Sequence, residues 1–276
     1  MKNYLDYTFV DSDEVVNTFD ELPLWSASFG LLMLKHLNVY PNLTVVDIGS
    51  GTGFPLFELA ARFGKSCKFY GVDNWENANK RANEKMRNYE LENVEIISTS
   101  AATMPFENNS VDLIVSNLGI NNFEQPHLVF AECCRVLKPK GKLVLTTNVN
   151  GHWKKFYVLF ENTLSELDHP ELITSLQEDQ KHRGTIESVA ALFTQNGFKT
   201  TQIIEDNFVM KFQDGTAFLN HHFVKLGWIS SWLDMIPKQI RKEVFSKLEF
   251  NLNSFASKNK GLNLSVPMLF MEGEKL

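Results

Sequence analysis

The sequence predicts an α/β fold in which a mostly parallel sheet carries helices on both faces. From residue 43 to residue 148, short runs rich in β-branched residues alternate with segments of helical apolar periodicity. The first of these runs ends at a cluster of three glycines, Gly49, Gly51 and Gly53. Parallel strands need long crossover connections, so this alternation indicates βαβ units.

The first half of the chain contains five predicted strands. A helix over Leu24–Leu37 precedes the first strand, Leu43–Ile48, whose run of apolar residues is typical of a buried parallel strand. Pro55 then begins a helix that Gly64 ends. The remaining predicted elements are strand Lys68–Val72, a helix from Trp75 to about Leu91 capped by Asn74, strands Val94–Ile97 and Val111–Ser116, helix Pro126–Leu137 and strand Lys142–Thr147.

The second half is more helical. We predict helices over His152–Leu167 and Thr185–Asn196, the second capped by Thr185 and ended by Gly197. Strand-like runs at Phe198–Phe212 and Leu262–Glu272 flank an aromatic-rich helical insertion at about 215–257, and they bring the sheet to seven strands. Without a repeat or a clear linker, one domain over residues 1–276 fits better than two.

Length and charge narrow the class of protein. The chain has 276 residues, enough to bury a core without disulfides or metals. Its formal net charge of -6 argues against DNA or RNA as a partner. The first residues lack the apolar core of a signal peptide, and no apolar run is long enough to span a bilayer. We therefore expect a soluble, cytoplasmic protein without membrane insertion; the sequence does not indicate an oligomeric state.

The three cysteines do not form a metal-binding pattern. Cys133 and Cys134 are neighbours, Cys67 begins a strand-like run, and the sequence has no CxxC or Cys/His spacing typical of zinc. We expect buried thiols in a reducing compartment and no bound metal.

The glycine loop predicts a ligand site. Glycines remove side chains, so a ligand can lie against the backbone, and the N-terminus of the following helix offers N–H groups to an anion. Asp73 ends the next strand, where a carboxylate can accept hydrogen bonds from both hydroxyls of a ribose. The alternatives are a strand–helix turn that binds nothing and an acid that caps a helix or lies at the surface.

Four motifs in order carry a resemblance to a known family. Val45–Gly53 looks like motif I of the class I S-adenosylmethionine-dependent methyltransferases, and Asp73 matches the ribose-binding acid of their second motif. Ser100–Phe106 resembles their Asp-Ala-x-x-Leu-Pro-Phe segment. Val111–Asn117, with Val136–Gly141, resembles their fourth strand and the Leu-Lys-Pro-Gly-Gly turn that follows. The branch is the type 11 one, typified by ubiquinone and menaquinone methyltransferases.

This resemblance implies a Rossmann-like fold with an N-terminal lid (1–42), a cofactor-binding core (43–150) and a remainder (151–276) that holds the substrate-pocket insertion. It implies S-adenosylmethionine as cofactor, S-adenosylhomocysteine as product and a small-molecule acceptor. The implied cofactor-binding residues are Trp25, Asp47, Gly49, Ser50, Gly51, Gly53, Asp73, Asn74, Ser100, Ala101 and Asn117. Ser100 departs from the family, which has an acid there, so its hydrogen bond to adenine is expected to be weaker.

The resemblance also suggests where the cofactor is covered. The segment Glu21–Ser26 is the predicted lid, and Trp25 or Tyr7 is expected to close against the methionine end. For Trp25, packing in the core is an equally good interpretation.

Signals for the acceptor are less specific. Asn121 and Asn122 are candidates for orienting a polar acceptor; the alternative is that they satisfy loop turns. His221 and His222 are candidates for a general base, against surface or structural histidines. The apolar stripe of the insertion either lines an acceptor pocket or forms core.

Three other functions compete with methyl transfer. A dehydrogenase would carry G-x-G-x-x-G, whereas this loop is G-x-G-x-G. The others are an enzyme that uses S-adenosylmethionine for different chemistry and a non-catalytic cofactor-binding regulator. We expect in-line methyl transfer to a small, partly apolar or aromatic metabolite.

Overall fold

Strands and helices alternate along most of the chain. The computed structural model describes residues 4–20, 23–181 and 183–276. The strands are β1 (Thr44–Ile48), β2 (Lys68–Asp73), β3 (Val94–Ser98), β4 (Val111–Asn117), β5 (Leu137–Asn148), β6 (Phe198–Phe212) and β7 (Leu262–Lys275). The helices are α1 (Asp13–Phe19), α2 (Pro23–His36), α3 (Leu56–Phe63), α4 (Glu76–Asn88), α5 (Pro126–Val136), α6 (Lys154–Glu166), α7 (Glu171–Lys181), α8 (Ile186–Gln195), α9 (Gly215–Asn220), α10 (His222–Val224), α11 (Ser230–Met235) and α12 (Arg241–Lys258). Short 3-10 turns lie at Tyr4–Asp6 and Gly119–Asn122, and a π-helical turn lies at Lys225–Ile229.

The sheet has the topology of a doubly wound α/β protein. Within the described residues it contains seven strands in the order β3-β2-β1-β4-β5-β7-β6. Strands β1 to β5 pair in parallel, and β7 lies antiparallel to β5. The chain order reverses between β1 and β4, and ligands of such proteins bind outside the carboxyl ends of the strands at that point. The predicted fold class is confirmed, including the helical insertion between β6 and β7.

Capping residues explain where several helices begin and end. Thr185 and Ser188 form a capping box that begins α8, and Gly64, with a φ of 75°, ends α3. The predicted capping of α4 by Asn74 is wrong, because Trp75 is the N-cap residue and makes no side-chain cap bond. Instead the Trp75 N–H donates to Asp73 Oδ1 at 2.9 Å, since a carboxylate is the stronger acceptor.

The larger of two compact units is here called the sheet unit. It comprises Asp11–Val149, Gly184–Asp206 and Met268–Leu276, within the described residues. Its core joins the strands to the helices that cover them: Val46, Ile114 and Leu143 are at most 1% exposed. Phe130 and Phe193 of α5 and α8 pack edge to face, with ring centroids 5.1 Å apart. The same buried cluster as these two rings contains residues of β1, β2 and β4: Val46, Ile48, Val72 and Ile114.

The second unit, here called the helical unit, comprises the described residues of Met1–Val10, Asn150–Arg183 and Asn207–Pro267. Its core is aromatic: Phe156 lies 4.5 Å from Trp232 and Trp153 lies 5.1 Å from Phe218, between ring centroids. All four side chains are fully buried, so Phe218 and Trp232 of the insertion's apolar stripe form part of this core. The division of the chain into a single domain with lid, core and pocket insertion stays a prediction.

Among the described residues, no helix combines the length and the apolar character needed to cross a bilayer.

Candidate functional site

The glycine loop between β1 and α3 leaves its backbone open. Gly49, Gly51 and Gly53 have φ values of 71°, 51° and 97°, a region that favours glycine. A Cβ at Gly53 would lie 2.0 Å from Phe57 Cε2, whereas a Cβ at Gly51 would meet nothing within 4 Å. Gly53 therefore lets α3 pack against the loop, and Gly51 leaves open space where a ligand can approach the backbone.

Asp47 lies at the base of this loop as a buried, unsatisfied acid. Its side chain is 0% exposed, and neither carboxylate oxygen makes a well-formed hydrogen bond with a described residue. Burial raises the pKa of Asp47 well above its ordinary value, the Asp73 carboxylate raises it further, and the Leu56 amide partly offsets both. The hydroxyl of Ser50 is also buried without a partner among the described residues. Such groups are costly unless a ligand or water satisfies them.

Asp73 connects the second strand to the glycine loop. Its Oδ2 accepts a hydrogen bond from the Gly51 N–H at 2.8 Å, and its Oδ1 accepts the one from Trp75. Each oxygen retains a lone pair for a further donor. Asn74, beside it, is exposed. The carboxylate thus lies beside the open face of Gly51, where a ribose would be held.

The third strand is followed by a tight turn. Ser100 is exposed, and its Oγ accepts a hydrogen bond from the Ala102 N–H at 3.2 Å. Ala101 is 8% exposed. The serine hydroxyl therefore stabilises the turn, and it still has a proton to donate.

Asn117, at the end of β4, is held at both ends of its amide. Its Nδ2 donates to the Ser26 carbonyl at 3.1 Å, and its Oδ1 accepts from Thr146 Oγ1 at 2.8 Å. These bonds connect α2 to β4 and β5. Trp25, also on α2, is 9% exposed and its ring centroid lies 5.3 Å from that of Phe29. Asn117 is thus a residue that positions α2, and any cofactor contact from it stays a prediction.

The side chain of Asn121, in the 3-10 turn after β4, makes two hydrogen bonds to side chains at the end of β5. Asn121 Oδ1 accepts from Thr147 Oγ1 at 2.8 Å, and Asn121 Nδ2 donates to Asn148 Oδ1 at 2.8 Å. Asn148 is 2% exposed, and its Nδ2 has no partner among the described residues. Asn122 is exposed. Asn148 was missed from the sequence, because only the pairing of β4 with β5 brings it beside Asn121.

An N-terminal segment, here called the clasp (residues 11–20), packs against α4. Asp20 accepts from Arg81 Nε at 2.6 Å and from Lys85 Nζ at 2.8 Å, while Asp11 accepts from the Trp75 indole N–H at 2.9 Å. Burial would raise the pKa of Asp20, but hydrogen bonds from Lys85, Arg81 and Thr52 lower it below its ordinary value. Of the predicted lid, Glu21 and Leu22 lie outside the described residues.

The structure places eleven of the predicted residues in one unit and two in the other. All predicted cofactor-binding residues belong to the sheet unit, whereas His221 and His222 belong to the helical unit. Both histidines are exposed, and the His221 ring lies 5.3 Å from that of Phe212. The packing of the His221 ring against its neighbours removes part of its hydration although the residue is exposed as a whole; this, and then the nearby His222 and Lys225, lower the pKa of His221. A role as general base stays a prediction for either histidine.

Within the described ranges, no group of three or more His, Cys, Asp or Glu side chains is arranged to hold a metal ion. The absence of a metal from the reaction stays a prediction.

Comparison with known proteins identifies the family. Residues 40–212 match the model of the methyltransferase domain family. The chain therefore belongs to that family, and the predicted kinship with class I S-adenosylmethionine-dependent methyltransferases is confirmed.

Individual relatives agree with this assignment. The chain is 31% identical over 134 residues to demethylmenaquinone methyltransferase of Lactococcus lactis subsp. lactis, covering 49% of this chain and 52% of that protein. It is 27% identical over 179 residues to the enzyme of that name from Bacillus mycoides, covering 62% and 76%. The match thus spans about half the length of the Lactococcus relative. A solved structure of a putative methyltransferase from Bacillus halodurans has the same fold, with a TM-score of 0.60 and 20% identity over 90% of this chain and 99% of that one.

The site fits the cofactor of that family. Gly51 offers an open backbone, Asp73 offers acceptors for ribose hydroxyls, and Asp47 is a buried acid in need of a donor. The hydroxyls and the ammonium group of S-adenosylmethionine can donate hydrogen bonds to these acceptors, and its sulfonium adds a positive charge that a carboxylate attracts.

Proposed function

We propose that the protein binds S-adenosylmethionine at the glycine loop and catalyses methyl transfer to a small molecule. The observation that carries this proposal is Asp47, a fully buried acid whose oxygens lack well-formed hydrogen bonds in the described structure. A protein does not keep such a group for stability, because desolvating an acid costs free energy. A cationic ligand beside the loop relieves that cost.

Each residue then has a defined role in holding the cofactor. Asp73 accepts hydrogen bonds from the ribose, Gly51 lets the ligand approach the backbone, and Asp47 accepts, directly or through water, from the ammonium group. The turn at Ser100 and Ala101 faces the adenine. The bound cofactor supplies a methyl group already activated on a positively charged sulfur. The protein's remaining task is to orient the acceptor and exclude water, and positioning alone supplies much of a rate enhancement.

The acceptor is proposed to be a small, partly apolar or aromatic metabolite that attacks the methyl group in line. The names of the Lactococcus and Bacillus relatives support an acceptor of quinone type. The buried Asn148 amide supports a polar atom on the acceptor, because its Nδ2 has a proton to donate near the turn that follows β4.

Calorimetry with S-adenosylhomocysteine tests the binding part. Asp73→Ala is expected to weaken affinity by about tenfold or more, since charge-assisted hydrogen bonds are lost. Glu76→Ala is the matched control, because Glu76 is an exposed acid three residues away. Unchanged affinity in folded Asp73→Ala, or tighter binding of NAD than of S-adenosylhomocysteine, would contradict the proposal.

Methyl-labelled cofactor tests the reaction. Incubation with the protein and a metabolite extract, with and without added quinols, is expected to give a labelled product of low molecular mass. Tight cofactor binding with label in no product would favour a regulator. Cofactor consumption that leaves the methyl group behind would favour other chemistry.

A further inference from the structure

The helical unit contains a small polar recess apart from its aromatic core. Its volume is about 190 Å³ including the open mouth, and it is lined by Asn150, Gly151, His152, Tyr157, Gln180 and Arg183. No function was predicted from the sequence for any of these residues. Its enclosed part has room for about one water-sized group, so a ligand can reach it only with a small polar group that enters from the open mouth.

The hydroxyl of Tyr157 lies at the buried side of this recess. Tyr157 is 2% exposed, and its OH makes no well-formed hydrogen bond with a described residue. The Trp232 ring lies edge-on to it, with centroids 6.2 Å apart. Burial, and then the Asp179 carboxylate, raise the pKa of Tyr157 to about 12. Arg183 and a weak hydrogen bond from the Trp232 indole N–H to the phenol oxygen offset part of this pKa rise, and the hydroxyl keeps its proton. It is therefore a buried donor without an acceptor.

Arg183 supplies a positive charge at the same recess. Its guanidinium carbon lies 5.7 Å from the centroid of the Trp228 ring, and it makes no ion pair with an acid of the described residues. The carboxylate of Asp179, on α7, instead accepts from Ser231 Oγ at 2.9 Å. The stacked Trp228 ring restricts the guanidinium without neutralising it.

The protonation state of His152 affects how much positive charge the recess offers to a ligand. Burial, and then the nearby Arg183, lower the pKa of His152 well below its ordinary value, so its ring is neutral at physiological pH. Among the side chains that line the recess, Arg183 alone is then charged, and Asp179, the acid beside Tyr157, lies outside the lining.

We propose that this recess binds a carboxylate group of a small molecule. A planar carboxylate can accept two parallel bonds from the Arg183 guanidinium, and an oxygen of it satisfies the Tyr157 hydroxyl. The amides of Gln180 and Asn150 are further donors at the lining. A single cation matches a single negative charge, which favours a carboxylate over a phosphate dianion. The proposal concerns binding alone, and it stands or falls independently of the cofactor site.

Titration of the full chain with benzoate, benzamide and inorganic phosphate tests this site. Benzoate is expected to bind at least tenfold more tightly than the uncharged benzamide and more tightly than phosphate. Arg183→Gln is expected to weaken benzoate by about tenfold or more, and Tyr157→Phe by about threefold to tenfold. Arg62→Gln is the matched control, since Arg62 pairs with Glu58 on an exposed face of α3.

Circular dichroism and thermal unfolding, measured on the same samples, report whether each variant is folded. Equal binding of benzoate and benzamide, no benzoate binding, or unchanged benzoate affinity in Arg183→Gln would overturn the proposal. Phosphate binding more tightly than benzoate would overturn the assigned class. Should Arg183→Gln fail to fold, the nearly isosteric Tyr157→Phe decides, and unchanged benzoate affinity there overturns the proposal.

Discussion

The buried carboxylate of Asp47 is expected to favour cofactor binding and, at the same time, to destabilise the unliganded protein. Its folded pKa is raised, so its contribution to stability is present below the ordinary pKa near 3.9 and is lost as pH rises through the folded pKa. Asp47→Asn removes this charge. We expect the unliganded variant to be more stable at neutral pH by about 1 kcal/mol, or about 2–4 °C in Tm, and to bind S-adenosylhomocysteine more weakly. Thermal unfolding between pH 4 and pH 8 checks this.

The control for Asp47 is a nearby acid whose oxygens are satisfied. Asp112 accepts from the Thr44 N–H at 2.8 Å and from Lys138 Nζ at 2.7 Å. Asp112→Asn is expected to destabilise the protein at neutral pH. If Asp47→Asn is destabilising to the same degree, Asp47 is a structural acid and the binding role assigned to it is wrong.

Asn121 and Asn122 are neighbours with different environments. Asn121→Ala removes two hydrogen bonds that hold the 3-10 turn to β5, and each is worth about 1 kcal/mol. We therefore expect Asn121→Ala to lower the free energy of unfolding by about 2 kcal/mol and to reduce kcat more than cofactor affinity. The exposed Asn122 is the matched control, and Asn122→Ala is expected to change neither quantity. Equal effects of the two substitutions would contradict the role of these hydrogen bonds.

At the scale of elements, the clasp is held to α4 by charged contacts. Asp20→Asn weakens the bonds to Arg81 and Lys85, whose side chains are 30% and 14% exposed. We expect limited proteolysis within residues 11–20 to become several-fold faster and cofactor affinity to fall about threefold to tenfold. The lowered pKa of Asp20 means that this stabilisation is present above its ordinary pKa and is lost as pH falls through the folded value.

The control for the clasp is the exposed pair of Arg62 and Glu58. Glu58→Gln is expected to leave proteolysis and affinity unchanged, because exposed ion pairs contribute little. Proteolysis of Asp20→Asn at the rate of the unsubstituted protein would show that the two cations do not hold the clasp.

The same element shows which features the sequence could predict. Helix α1 has seven residues, too few for a helix to be stable alone, and its docking depends on Asp20 meeting Arg81 and Lys85, 61 and 65 residues later. No local pattern indicates such a pairing. The glycine loop and Asp73 were predictable because they lie within one βαβ unit, where short-range spacing fixes the geometry.

The acceptor region was less predictable for the same reason. Asn148 becomes a candidate only after β4 and β5 are paired, and the recess around Tyr157 and Arg183 forms only when α6 and α7 pack together with the residues that flank them. The aromatic stripe of the insertion could be read as pocket or core, and only burial shows that Trp232 and Phe218 form core.

At the scale of the whole molecule, the two proposed sites predict two separate patterns of ligand protection. S-adenosylhomocysteine at about 100 times its Kd is expected to stabilise the protein by about 2.7 kcal/mol, raising Tm by about 5 °C.

Hydrogen–deuterium exchange in the presence of S-adenosylhomocysteine should slow at residues 47–53, 73–76 and 100–103, which lie at the carboxyl ends of β1, β2 and β3. Benzoate should slow exchange at residues 150–157 instead. The amides of α8 serve as an internal control, because this helix and its buried residues Val189 and Phe193 lie in neither site. Protection by S-adenosylhomocysteine that omits the glycine loop would contradict the assignment of the cofactor to β1 and β2, whatever the outcome with benzoate.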